Sequence, residues 1–109
     1  MITDEEIDKA LDYLRDNSTP AAQARANRIY MEEYRKVVKA SLMGVSNESS
    51  VGAQERFAYA HPDYTKHLEA MKTAIEMDER HRFLLAAAQA KIEAWRSEQA
   101  NQRVMGKIV

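Results

Sequence analysis

Residues 62–103 read PDYTKHLEAMKTAIEMDERHRFLLAAAQAKIEAWRSEQANQR, with no glycine and no proline after Pro62. Ala, Leu, Met, Glu, Lys, Gln and Arg fill the stretch, and these are the residues that lose least on entering a helix. Leu68, Met71 and Ile75, then Leu85, Ala88, Ile92 and Trp95, keep the three-to-four spacing of a packing seam. Asp78 and His81 interrupt that seam near its middle. A helix of about 41 residues is roughly 60 Å long at 1.5 Å per residue. A compact domain of this size has a radius of gyration near about 13 Å. One helix of that length cannot be hidden inside its own globule, so other helices or a second copy of the chain must cover it.

The segments before it supply part of that cover. Thr3 with Glu6 three residues on has the form of a capping box, and opens a first helix over about residues 4–16. Ile7, Leu11 and Leu14 share its apolar face. Asn17-Ser18-Thr19-Pro20 is expected to stop this helix and start another, with Thr19 as N-cap and Pro20 at the first helical position. The second helix, residues 20–43, carries an expected inward stripe of Tyr30, Tyr34, Val37, Val38, Ser41 and Leu42. Ala24, Arg28, Met31 and Arg35 flank that stripe, and Gly44 is placed to end the helix as a C-cap. A loop follows over residues 44–50. A short helix over 51–60 starts from Ser49 or Ser50 and breaks at His61, which precedes a proline. Residues 104–109 lose the amphipathic pattern and are expected to fray. The predicted fold is all-α. It is an elongated antiparallel helical hairpin in one domain, with a very long C-terminal helix and short N-terminal and connecting helices.

Composition limits the functions open to such a chain. Its 109 residues hold 16 Lys+Arg against 17 Asp+Glu, a net charge of −1, which argues against a generally basic nucleic-acid binder. The absence of cysteine removes disulfides, thiolate metal sites and a cysteine nucleophile. The acidic start Met1–Glu6 does not read as a signal peptide, and no apolar run approaches a membrane span. A cytoplasmic protein is expected.

The charge is unevenly placed. Residues 1–19 carry six acids and two bases, whereas residues 20–43 carry Arg25, Arg28, Arg35, Lys36 and Lys39 against Glu32 and Glu33. A basic helix with Tyr30 and Tyr34 beside it is suited to phosphates and exposed bases. The alternative is a solvated face neutralised by the acidic first helix. Asp78 and His81 stand one turn apart, where such a pair can share a metal, but bundle metal sites need more ligands on other helices. No metal or cofactor is expected. His61 and His67 lack a nucleophile or a phosphate loop to work with, so they read as a turn-capping and a surface histidine and no enzyme is expected. Trp95 is the only tryptophan, and tryptophan is enriched at interface hot spots. Leu85, Ile92 and Trp95, with Arg96 and Arg103 at the rim, are therefore the candidate interface to a partner or to a second copy in a homodimer.

Gln54-Glu55-Arg56, Ala58-Tyr59-Ala60, Pro62-x-Tyr64 and Leu68-Glu69 form one group of familiar residues. Lys91-Ile92-Glu93-Ala94-Trp95-Arg96 through Gln99-Ala100-Asn101 form the other. Together, over about residues 25–101, they resemble a group of small helical proteins of tailed phages and prophages, often encoded near recombination or replication genes. The resemblance carries no catalytic signature and no functional residues. It implies a non-enzymatic phage accessory protein of DNA recombination or replication in the bacterial cytoplasm, binding a phage or host protein of DNA metabolism. Two other functions remain open. One is direct DNA binding by Arg25, Arg28, Arg35, Lys36 and Lys39 with Tyr30 or Tyr34 stacking. The other is inhibition of a host nuclease or defence complex, with the acidic first helix imitating DNA.

Overall fold

A computed structural model describes residues 1–108 of the chain. It is all-α, with no strand among the described residues: α1 runs Asp4–Val45, α2 Val51–Ala60 and α3 Pro62–Ile108. The long C-terminal helix expected from residues 62–103 is present and extends five residues further. The frayed tail expected at 104–109 is therefore corrected as far as residue 108, and Val109 lies outside the described residues. Good helix formers such as Gln102, Arg103 and Met105 surround Gly106 there, and one glycine costs a helix only about 1 kcal/mol.

The first and second helices expected over 4–16 and 20–43 are instead one helix of 42 residues with Pro20 inside it. Proline lacks the N–H that would return to the carbonyl four residues back, and an internal proline costs about 3 kcal/mol. Side chains just before it turn back onto the preceding turn. Asn17 Nδ2 donates to the Tyr13 carbonyl (3.0 Å) and Ser18 Oγ to the Arg15 carbonyl (3.2 Å). Leu14, Asn17, Ala21 and Ala24 keep a half-buried three-to-four stripe straight through the proline. Packing along that stripe outweighs the local stop signal. Gly44 is not a left-handed C-cap either, for no glycine has positive φ and the helix continues to Val45. Ser46 closes the end by donating from both its N–H (3.3 Å) and its hydroxyl (2.9 Å) to the Met43 carbonyl.

The short helix has its expected bounds. Ser50 caps it, its Oγ accepting from the Ala53 N–H (3.2 Å), and His61 ends it with extended backbone at φ −73°, ψ 138°.

The chain divides into two compact units. Unit 1 contains residues 1–21 and those from 80 onward, so it is a pair of helix segments. They are antiparallel: the Ile2 N–H donates to Glu98 (3.2 Å), while Tyr13 shares a groove with Leu84. The capping box forms as expected, Thr3 N–H donating to Glu6 (2.9 Å) and Glu6 N–H to the Thr3 hydroxyl (3.1 Å). Ile7 and Ala10 are buried, whereas Leu11, expected beside Ile7, is half exposed.

Unit 2, residues 22–79, contains three helix segments. Leu42, Ala58 and Ala74 form its core, and Ala58 on α2 has no exposure at all. The inward face of α1 here is Ala24, Arg28, Met31, Val38 and Leu42. Tyr30, Tyr34, Val37 and Ser41, expected to point inward, are exposed. Val38 and Leu42 of the expected inward stripe do enter the core, and Ala24, Arg28 and Met31 of the expected flanking stripe join them, while Arg35 stays exposed. For Arg28 the reason is electrostatic, because it finds its acids on α3.

Candidate functional site

Arg28 sits at the centre of a charge cluster in unit 2. Its Nε donates to Glu32 one turn on (2.9 Å), and its Nη1 to Asp78 (3.1 Å) and Glu79 (2.9 Å) on α3. Hydrogen bonds to Glu32, Glu79 and Asp78, in that order, raise the Arg28 guanidinium above its ordinary value. Asp78 is only 8% exposed, so its carboxylate is satisfied inside the protein by Arg28. His81, considered above as its metal-sharing partner, lies in unit 1 and has a buried Nδ1 with no hydrogen-bond partner. No group of three or more His, Asp or Glu able to hold a metal occurs among the described residues.

The rest of the basic stretch divides in two. Lys39 pairs with Glu55 on α2 (3.5 Å) and lies 4.9 Å over the Tyr59 ring. The Tyr59 phenol first, and then the charge of Glu55 against the opposing effect of burial, raise its ammonium above the ordinary value. Lys36 pairs with Glu33 (3.0 Å) on the surface. Arg25 and Arg35 are exposed. Tyr30 and Tyr34 stack with centroids 5.6 Å apart and planes 21° apart, and with Val37 they make an exposed aromatic and aliphatic stripe on α1. Tyr34 also meets the His67 ring at 5.9 Å. His67 is not the surface histidine expected: it is half-buried, with Nε2 2.7 Å from the Met31 carbonyl, so Nε2 carries the proton and donates. His61 acts at a turn as expected, its Nδ1 accepting from the Asp63 N–H (3.0 Å).

In unit 1 the predicted interface residues separate. Ile92, Trp95 and Arg96 line a groove of about 490 Å³ with Asp4, Ile7, Asp8 and Leu11. Leu85 is half-buried, and Arg103 is exposed. Ile92 and Trp95 are thus directed at α1 of the same chain, and the buried Trp95 Nε1 has no acceptor. Phe83 (68% exposed) and Leu84 (48%) are among the apolar side chains left outside. The run Phe83-Leu84-Leu85 contained that signal. Successive residues on a helix point about 100° apart, so with Leu85 on the seam the other two cannot both join it.

On the other side of the pair, Glu6, Lys9, Ala10, Tyr13, Leu84, Ala87, Ala88 and Lys91 line a groove of about 290 Å³. Charge is complementary across unit 1. Six acids and two bases in residues 1–19 are countered by Arg80, Arg82, Lys91, Arg96, Arg103 and Lys107 against Glu93 and Glu98. No helix among the described residues is long and apolar enough to cross a membrane. No protein family matches the chain, and neither does any curated protein or solved structure.

Proposed function

We propose that the chain is a non-enzymatic accessory protein of phage or prophage DNA recombination or replication, acting in the bacterial cytoplasm by binding a phage or host protein of DNA metabolism. The resemblance of residues 25–101 to small phage proteins supports the phage setting. The binding mode rests on one observation: the stacked pair Tyr30 and Tyr34, with Val37, stands exposed on α1. Tyrosine is among the residues most enriched at interface hot spots, and a pair already stacked loses little freedom on binding.

Direct DNA binding by the same helix is the weaker reading, because Arg28, Lys36 and Lys39 already have carboxylate partners. Salt separates the two, since phosphate contacts weaken steeply as salt rises and apolar contacts change little. The test is Tyr30→Ala/Tyr34→Ala in tagged protein expressed in phage-infected cells, beside binding to single-stranded DNA at low and high salt. The expected result is a DNA-metabolism partner that stays bound at high salt and is lost in the double variant. Salt-sensitive DNA binding through the same tyrosines, with no such partner, overturns the protein-binding reading.

A further inference from the structure

We propose that the groove of unit 1 between Tyr13 and Leu84 receives a second copy of this chain, so that two helix pairs close into a four-helix bundle. This goes beyond the binding reading above and rests on other residues, so either can fail alone.

Three observations carry it. The first is area. The chain exposes 8148 Å². A folded monomer of 12.5 kDa is expected to expose about 6,200 Å², so about 2,000 Å² is in excess. That excess belongs to the chain as a whole, and a standard interface needs about 800 Å² on each partner. The second is shape. The groove floor is Ala10, Ala87 and Ala88, which lets a helix approach closely, and Tyr13 and half-exposed Leu84 provide apolar walls.

The third observation, charge, names the occupant and its orientation. The α1 segment of unit 1 carries a net −4 and the α3 segment a net +4, so the unit as a whole is neutral and nothing repels a copy of itself. A twofold axis running along the helices lays each α1 segment against the α3 segment of the other copy. Glu6 of one copy then meets Lys91 of the other, and the reverse, as an isologous interface requires. Every neighbouring pair of helices is antiparallel and opposite in charge. The perpendicular twofold would set α1 against α1, acid against acid.

Sedimentation and light scattering at tens of micromolar test this on the full chain. The unaltered protein is expected at twice 12.5 kDa. Ala87→Glu, at an exposed position, is expected to be monomeric with unchanged helicity. Lys91→Glu places acid against Glu6 and is expected to weaken the dimer about tenfold or more. It carries the test if Ala87→Glu loses helicity. Leu11→Glu, on the opposite groove, is expected to leave the dimer intact. A monomeric unaltered chain overturns the proposal, and so does a dimer that survives Ala87→Glu and Lys91→Glu but dissolves in Leu11→Glu.

Discussion

Unit 2 covers its α1–α3 pair with a third helix, which buries Ala58 completely and ties Lys39 to Glu55. Unit 1 has the same two helices and no third, and among its described residues it buries nothing larger than Ile7. The sequences of the two regions are similarly rich in helix formers, so propensity does not separate them. What separates them is how each satisfies a two-sided pair. Unit 2 does so with α2 and with the Arg28–Asp78–Glu79 cluster. Unit 1 has one apolar seam and the Ile2–Glu98 hydrogen bond between its two segments, and leaves Phe83 and Leu84 exposed. A helix pair without a third layer is where assembly with another chain brings most.

The largest effect is expected from Leu42→Ala. Leu42 is 7% exposed, and truncating a buried leucine costs about 3 kcal/mol. Amide exchange is expected to quicken through residues 22–79 while the protection of residues 1–21 and 80–107 holds. Equal loss in both would mean one cooperative block, not two. Thr3→Ala acts on unit 1 instead. It removes one half of the capping box and is expected to cost about 1 kcal/mol, with exchange quickening only in the first turn of α1.

The smallest effect is a pH dependence in unit 2. The Lys39 ammonium is raised in the folded protein, so its stabilisation is complete below the ordinary lysine value of about 10.4 and is lost as pH rises through the higher folded value. Melts taken from about pH 9 upward are expected to fall more steeply for the unaltered protein than for Lys39→Arg, which keeps its charge. Parallel curves would remove Lys39 from the account of how α2 is held.

Local chemistry was the most legible part of the sequence. The capping box at Thr3, the Ser50 cap, the break at His61 and the length of α3 are all decided by residues within a turn of one another. The errors came where distant residues decide. Pro20 reads as a stop, yet the stripe through Leu14, Ala21 and Ala24 holds the helix together. Tyr30, Tyr34 and Val37 have the periodicity of a core face, but Arg28 turns its own face inward because Asp78, fifty residues away, accepts it. Periodicity identifies a face without saying what it meets.

The position of Trp95 has a spectroscopic consequence. It is the only tryptophan and belongs to unit 1, while four of the five tyrosines, at 30, 34, 59 and 64, belong to unit 2. The two regions therefore carry different chromophores. Tryptophan emission follows one and tyrosine signals chiefly follow the other, so a single unlabelled sample reports on both at once.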